Sequence, residues 1–227
     1  DNTPDGIGKQ IGAIIQLFTE YYYNNRPDIL LVTGDRYEMF GVGVAACTLQ
    51  IPMVHLCGGS VTTGAIDDVY RHSLTKMSQF HFVTCEVYRR RVIQLGESPE
   101  NVYNVGSLAI ENCYNVEKLS EEEIRKDIGM PQKGKYCVVT YHPVTMDGGH
   151  EEDETEALIQ ALDSFAEYTY IITLANVDAG GNKINDLWSE AAKEHENFYV
   201  VPSLGVKRYL SALKLSLIHI CEPTRRY

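Results

Sequence analysis

The chain has 227 residues, of which 44% are hydrophobic, so it can bury one large hydrophobic core or two small ones. This composition excludes disordered, collagenous and coiled-coil chains. The formal net charge of −11 offers no basic field to nucleic acid or to an anionic membrane, so we expect neither as a partner. The longest apolar runs are much shorter than the roughly 20 residues that span a bilayer.

The cysteines indicate a reducing compartment. They lie scattered in apolar stretches and form no C-x-x-C pair, which argues against a zinc ribbon or a redox motif. We expect reduced, mostly buried thiols in a cytoplasmic protein. The chain also lacks an initial Met, so we expect it to be a fragment. The six cysteines are Cys47, Cys57, Cys85, Cys113, Cys137 and Cys221.

Helical and strand patterns alternate through the first half of the chain. Alternation of short apolar strands with helices of this length predicts crossover connections and a parallel sheet covered on both faces. The predicted elements are helix 7–23, strand 29–32, helix 37–49, strand 53–56, helix 67–76, strand 81–84, helix 87–95 and strand 102–105.

The chain turns polar over 112–134, where a capping box from Ser120 to Glu123 starts a short charged helix. The alternation then resumes. The fold class predicted is therefore α/β with two Rossmann-like parallel-sheet domains, both incomplete: 1–112, a hinge at 113–134, and 135–214. The later elements predicted are strand 136–140, helix 151–165, strand 168–174, helix 183–195, strand 198–201 and a helix through Val206, Leu210 and Leu213.

The last thirteen residues, 215–227, read LSLIHICEPTRRY and do not continue the preceding pattern. They resemble the translation of a sequencing-library adapter, LSLIHISEPTR. We therefore expect an adapter-derived tail and exclude it from functional reasoning.

Polar residues and glycines follow four of the predicted strands. Ligands of open parallel sheets bind at the carboxyl ends of the strands, so these positions predict a site. The residues in question are Gly34, Asp35 and Arg36; His55, Gly58, Gly59 and Ser60; Tyr141, His142 and Pro143; and Asn176, Asp178, Ala179, Gly180 and Gly181.

Several of these residues also have a structural interpretation. Asp35 could cap the following helix. Asp67 and Asp68 open a helix, and their i,i+4 partners Arg71 and His72 would stabilise it without any catalysis.

Histidine and glycine at strand ends leave similar alternatives open. His142 is held extended by Pro143, which suits a side chain aimed into a cleft, but a structural histidine is equally common. Gly58 and Gly59 permit either close approach to a ligand or a tight turn.

Two further patterns favour simple readings. Arg89, Arg90 and Arg91 are typical of a solvated helix face. His55 and Cys57 have a spacing found in metal sites, but no other Cys or His lies nearby in sequence, so we expect no metal.

The segment from GDRYE at Gly34 to NVGS at Ser107 closely resembles the hydrolysing UDP-N-acetylglucosamine 2-epimerases of sialic and related nonulosonic acid biosynthesis. The resemblance extends from Thr3 to Lys214 and includes YHPVT at Tyr141 and NVDAG at Asn176. It implies a glycosyltransferase-B-like fold with a UDP-sugar in the interdomain cleft. It also implies conversion of UDP-N-acetylglucosamine and water to N-acetylmannosamine and UDP, without cofactor or metal.

The resemblance also implies roles for individual residues. Asp35 and Asp67 match acid/base positions, and His142 matches a histidine near the leaving diphosphate, so these three are the predicted catalytic residues. Substrate contacts are predicted for Arg36, His55, Gly58, Gly59, Arg71, Asn176 and Asp178.

One position departs from the family. Members commonly read HIxGGE or HIEGGE, whereas this chain reads HLCGGS over 55–60. A carboxylate is thus absent at Cys57 and at Ser60, and a thiol or hydroxyl cannot replace it. Glu38 and Asp68 are the candidate substitutes.

Other readings stay open at this point. The same chemistry could act on a UDP-diacetamido sugar, a non-hydrolysing epimerase could release no free sugar, or the protein could bind a nucleotide sugar without catalysis. We expect a homo-oligomer at full length. We also expect the 227-residue polypeptide by itself to be inactive and marginally stable, because parallel strands would lose their neighbours.

Overall fold

The computed structural model describes residues 3–142, 150–175 and 181–222. The chain forms two compact units, Thr3–Glu111 and Asn112–Arg225. Each unit contains a four-stranded sheet in which every described strand pair is parallel. The predicted fold class, with two Rossmann-like parallel sheets, is confirmed.

The first unit alternates helices and strands, and its sheet has the order β1-β2-β3-β4. The unit ends in a helix, α5, that begins in the first unit and continues past its boundary. The elements of the first unit are α1 (Pro4–Asn24), β1 (Leu30–Thr33), α2 (Tyr37–Thr48), β2 (Met53–Leu56), α3 (Asp67–Met77), β3 (Phe80–Val83), α4 (Glu86–Gln94), β4 (Val102–Asn104) and α5 (Leu108–Asn115).

Helices cover one face of the first sheet. Strands that follow one another across a sheet through right-handed crossovers place all their helices on the same side. Accordingly Val32 is 1% exposed whereas its neighbour Leu31 is 62% exposed, and Phe80 on β3 is also exposed. The prediction of a sheet covered on both faces is therefore wrong for this unit in its described residues.

The second unit has the strand order β7-β6-β5-β8. Its central strands β5 and β6 are almost entirely buried. The elements are α6 (Glu121–Ile128), β5 (Tyr136–Tyr141), α7 (Glu151–Asp163), β6 (Thr169–Thr173), α8 (Gly181–Glu194), β7 (Phe198–Val201), α9 (Gly205–Leu215) and β8 (His219–Glu222).

Both faces of the second sheet are covered, because alternate residues of each strand point to opposite sides. Val139 and Ile172 belong to one core cluster with Trp188 of α8. Val138 and Ile171 belong to the other, together with residues of α6 and α9. This arrangement explains the continuous apolar runs of β5 and β6.

The helix that starts at the predicted capping box packs on this second sheet. The Ser120 hydroxyl accepts from the Glu123 amide, and the Glu123 carboxylate accepts from the Ser120 amide, so the capping box is confirmed. Ile124 has no exposed surface. Buried Arg125 donates to the carbonyls of Pro131 and Gly134, which closes the connection to β5.

The segment set apart as adapter-derived contributes to both α9 and β8. Its first residue, Leu215, ends α9. β8 pairs in parallel with β5, with Val138 opposite His219. An apolar stretch can pair with an open strand edge through backbone hydrogen bonds alone, whatever its origin.

Two further findings concern the chain as a whole. None of the described helices has the length and apolar character needed to cross a membrane. The described cysteines are all free, but only Cys137 is buried, and Cys47 and Cys113 are exposed. The expectation of mostly buried thiols is therefore wrong.

Candidate functional site

Asp35 lies directly after β1, where a parallel sheet presents residues to ligands. Its carboxylate forms a short ion pair with the guanidinium of Arg71 on α3. The Arg71 side chain is 2% exposed and the Asp35 side chain 22%. Asp35 thus keeps part of its surface open to a ligand while a buried cation orients it.

Arg71 connects two strand-end loops. Besides Asp35, its guanidinium donates to the Ser60 carbonyl at 3.1 Å, to the Thr62 hydroxyl at 3.0 Å and to the Asp68 carboxylate at 2.9 Å. Four of its five N–H donors are therefore used within the protein. Direct substrate contact by Arg71 stays a prediction, and the described contacts indicate that it organises the loops.

The pair of carboxylates that opens α3 has unequal surroundings. Asp68 accepts from the Thr62 amide at 2.8 Å and from Arg71, and lies 3.6 Å from His72. Within α3, Arg71 is thus paired with Asp68 at i,i+3, and the predicted i,i+4 contact of Asp68 with His72 is present. Asp67 is the first residue of α3 and is partly exposed. The Asp68 carboxylate is therefore already engaged by hydrogen bonds within the protein.

His55 lies beneath the site and has no exposed surface. One ring nitrogen is 3.1 Å from the Gly34 carbonyl and the other 3.1 Å from the Thr75 hydroxyl. A carbonyl only accepts, so Nε2 carries the proton. Nδ1 faces the Thr75 hydroxyl, whose single proton is shared between this nitrogen and the Arg71 carbonyl at 3.1 Å. His55 thus links the end of β1 to α3. Because none of its surface is exposed, it offers no atom for the predicted contact with substrate in this conformation.

The burial of His55 predicts a pH-dependent stability. Burial lowers its pKa from the ordinary 6.5 to about 4. Between these values the unfolded chain binds one proton more than the folded chain, so the stability that neutral His55 contributes is complete above pH 6.5. It is lost as the pH falls towards 4, and about 3 kcal/mol of unfolding free energy should disappear across this interval.

Urea unfolding followed by circular dichroism at pH 7 and pH 4.5 measures this loss. His55→Gln is the test variant, because an amide can still hydrogen-bond to the Gly34 carbonyl and the Thr75 hydroxyl without titrating. It should lose clearly less stability over the interval than the parent. His81 is the other buried histidine, and burial lowers its pKa as well. His81→Gln is therefore the control that measures the separate contribution of His81 to the pH dependence. Equal pH dependence in parent and His55→Gln would contradict the prediction.

The glycines after β2 are required by packing. A Cβ on Gly58 would lie 3.0 Å from the His55 ring and from the Thr75 hydroxyl. A Cβ on Gly59 would lie 2.5 Å from the Tyr88 carbonyl of α4, and its φ is +84°. Both glycines therefore allow the loop to lie close to the helices beneath it. Their predicted contact with substrate stays a prediction.

Cys57 adopts a left-handed conformation with φ of 65°. For a residue with a side chain, this costs on the order of 1–3 kcal/mol and persists only where the surroundings impose it. Burial raises the pKa of its thiol, which keeps the thiol protonated and unsuited to acid/base work near neutral pH. Such strain is typical of functional loops.

Glu38 and Arg36 form a second group at the end of β1. Arg36 precedes α2, and its Nε donates to the Glu38 carboxylate at 3.2 Å. Their side chains are 32% and 37% exposed. Of the two carboxylates predicted as substitutes, Glu38 is thus the more accessible, since Asp68 is held by Arg71 and Thr62.

The arginines of α4 do not form a solvated face, which corrects the interpretation from sequence. Arg89 donates to the carbonyls of Val102 and Pro99. Arg91 donates to the carbonyl of Gly59. Only Arg90, whose side chain is 74% exposed, matches the interpretation. The partners lie 10 to 32 residues away in sequence, so helical spacing carries no signal for them.

The predicted residues of the second unit are only partly described. His142 follows β5 directly and is partly buried. Asn176 and Asp178 lie outside the described residues. The predicted approach of His142 to Asp35 and Asp67 stays a prediction.

The described residues contain no group of three or more His, Cys, Asp or Glu side chains that could hold a metal ion.

Comparison with known proteins gives this arrangement a context. A sequence profile described as UDP-N-acetylglucosamine 2-epimerase matches residues 1–222. The chain is 36% identical over 209 residues to a GDP/UDP-N,N'-diacetylbacillosamine 2-epimerase (hydrolyzing) of Campylobacter jejuni, covering 92% of this chain and 54% of the relative. It is also 36% identical over 207 residues to the polysialic acid biosynthesis protein P7 of Escherichia coli, covering 91% and 52%.

Among solved structures, the UDP-GlcNAc 2-epimerase of Methanocaldococcus jannaschii in complex with UDP-GlcNAc and UDP is similar, with a TM-score of 0.76. The identity is 15%, and the match covers 95% of this chain and 60% of that one. This likeness confirms the predicted glycosyltransferase-B-like fold. The chain spans about half the length of the curated relatives it matches.

Proposed function

Because the chain belongs to the UDP-N-acetylglucosamine 2-epimerase family, we propose that the full-length protein is a hydrolysing 2-epimerase. It converts UDP-N-acetylglucosamine and water to N-acetylmannosamine and UDP, for the synthesis of nonulosonic acids. Its substrate is a small nucleotide sugar, and no redox cofactor takes part in the reaction.

The observation that carries this proposal is the ion pair between Asp35 and buried Arg71, which also binds Asp68. One guanidinium thus joins the carboxylate at the end of β1 to the start of α3, where Asp67 lies. Inversion at a carbon atom requires a group that removes a proton from one face and a group that returns one to the other. Asp35 and Asp67 are the two carboxylates that we propose for these two roles.

The reaction balances as an elimination followed by a hydration. A base takes the proton from C2 of the sugar, the C2–H electron pair forms a C1–C2 double bond, and the C1–O bond breaks with its electron pair leaving on UDP. Water then adds its hydroxyl at C1, and a proton returns to C2 on the opposite face. The products are UDP and the free 2-epimer, with no change in oxidation state.

We assign the two proton transfers at C2 to Asp35 and Asp67. Glu38 accepts the proton of the water that adds at C1 and thus substitutes for the carboxylate absent at residue 60. His142 stands near the leaving diphosphate, and Asn176 and Asp178 bind the nucleotide. These assignments are supported by the resemblance of the motifs and, for Asp35 and His142, by their positions just after β1 and β5.

Three further residues take supporting roles in this proposal. Arg36 contacts the ligand, because its side chain is about one third exposed beside Glu38. His55 and Arg71 position the site from beneath, since both are fully enclosed by protein.

A second candidate is the same reaction on UDP-N,N'-diacetylbacillosamine. The name of the Campylobacter jejuni relative, at 36% identity, favours it. The chemistry at C1 and C2 is identical, and the two sugars differ at C4 and C6, which the described proton-transfer groups do not distinguish.

The test uses the full-length gene product with each UDP-sugar in D₂O, followed by NMR. We expect free 2-epimer with deuterium at C2, together with UDP, from one of the two substrates. The preferred substrate decides between the candidates. A UDP-linked epimer would instead show a non-hydrolysing enzyme, and tight binding of the UDP-sugar without any product would show a binding protein.

A further inference from the structure

The loop between β2 and α3 holds an unusual backbone conformation at its start. Within residues 57–60, here called the 57–60 loop, both Cys57 and Gly59 have φ in the left-handed region, at 65° and 84°. A side chain disfavours this conformation, so Cys57 stays there only while neighbouring groups impose it. The structure shows which groups do so.

Two guanidinium groups from different helices bind consecutive carbonyls of this loop. Arg71 of α3 donates to the Ser60 carbonyl, and Arg91 of α4 donates to the Gly59 carbonyl. The Cys57 amide donates to the Phe82 carbonyl of β3 at 2.9 Å. The loop is thus held by its main chain, between the two helices.

Contact with α4 reinforces the Arg91 hydrogen bond. Gly59 approaches α4 so closely that a Cβ would lie 2.9 Å from the Val92 side chain, in addition to its clash with the Tyr88 carbonyl. The Arg91 guanidinium also lies over the Tyr88 ring, 5.7 Å from its centroid. Arg91 is therefore fixed on α4 at the place where the loop meets the helix.

We propose that Arg91 is a positioning residue that keeps the 57–60 loop in this conformation and thereby aligns Arg71 with Asp35. Arg71 binds the loop and Asp35 through the same guanidinium, so a loop that relaxes away from α4 withdraws one of its partners. The catalytic part of this inference rests on the proposed function. The structural part does not, because it concerns only the shape of the loop.

The chain offers a matched control on the same helix. Arg89 also donates to two backbone carbonyls, but those belong to Pro99 and Val102 at β4. Arg89→Met therefore removes comparable anchoring from α4 without touching the loop. Arg91→Met is the test variant, and Arg91→Lys retains one donor and the charge.

The direct readout is alkylation of Cys57 by iodoacetamide, with each cysteine quantified by mass spectrometry in the full-length protein. The Cys57 thiol is only partly exposed and desolvation raises its pKa, so it should react more slowly than the exposed thiol of Cys47, which serves as the internal reference. We expect Arg91→Met to raise the Cys57 rate relative to Cys47 by about tenfold, Arg91→Lys to lie between, and Arg89→Met to stay within about twofold of the parent.

The catalytic readout is the separation of kcat from KM. Misplaced acid/base groups lower kcat without weakening substrate binding, so Arg91→Met should lose about tenfold in kcat with KM changed by less than about twofold. A parent protein inactive on both UDP-sugars would refute the proposed function, and the Cys57 rate would still decide the role of Arg91.

Parent values of both the Cys57 rate and kcat in Arg91→Met would overturn the inference. Equal changes in Arg89→Met and Arg91→Met would also overturn it, because general loosening of α4 would then explain both. If Arg91→Met does not fold, Gly59→Ala takes its place: its Cβ would push the loop away from the Tyr88 carbonyl, and the same rise in Cys57 alkylation is expected.

Discussion

Asp35→Asn in the full-length protein is expected to lower kcat by about 10²–10⁴-fold, with a much smaller effect on KM. This is the usual range for removal of a general acid or base. Asparagine keeps the size of the side chain and can still accept a hydrogen bond from Arg71, but it cannot take up a proton. Steady-state kinetics with UDP-N-acetylglucosamine measure the effect.

The control for this substitution is Asp68→Asn. Asp68 is the other carboxylate paired with Arg71, so its replacement also leaves the buried cation with one anionic partner fewer. We expect it to reduce stability and to lower kcat by less than about tenfold. If both variants lose kcat equally, Asp35 acts only by holding Arg71, and its catalytic role is excluded.

Ser60→Glu is expected to raise kcat by about 10²-fold or more, because it supplies the carboxylate that the HIxGGE pattern implies at this position. The loop should tolerate the change, since Ser60 is partly exposed and its contact with Arg71 uses the carbonyl. The same kinetic assay measures the gain.

Ser60→Gln is the matched control, with the same length and no titratable group. An equal gain with glutamine, or no gain with glutamate, would contradict the prediction. Combination with Glu38→Gln adds a second check. Glu38→Gln should lower kcat strongly when residue 60 is serine and only weakly when it is glutamate, if Glu38 substitutes for the missing carboxylate.

The positions of most strands along the chain follow from local sequence pattern. The predicted bounds of β2 and β7 agree with the structure residue for residue, because each is a short, mainly apolar run between Pro, Gly or Asn residues. α5 is absent from the prediction, since it has only eight residues and none of them is buried, so no apolar stripe faces the core. No local sequence pattern predicts that one face of the first sheet is left uncovered by helices.

For the candidate site too, the sequence predicts some features and not others. The position of Asp35 at a strand end follows from the topology of parallel sheets and is visible in the sequence. The roles of Arg71 and Arg91 are not visible in the sequence, because their partners Asp35 and Gly59 lie 36 and 32 residues away. A long flexible side chain can reach many acceptors, and only the folded chain selects among them.

Main-chain anchoring of the 57–60 loop has a consequence for how this site can evolve. Arg71 and Arg91 bind carbonyl oxygens, which every amino acid possesses, so the course of the backbone is insensitive to what residue 60 carries. Mutation can then exchange a proton-transferring side chain for an inert one, or restore it, on an unchanged scaffold. Activity could be lost and regained at this position by single substitutions without passing through a misfolded ancestor.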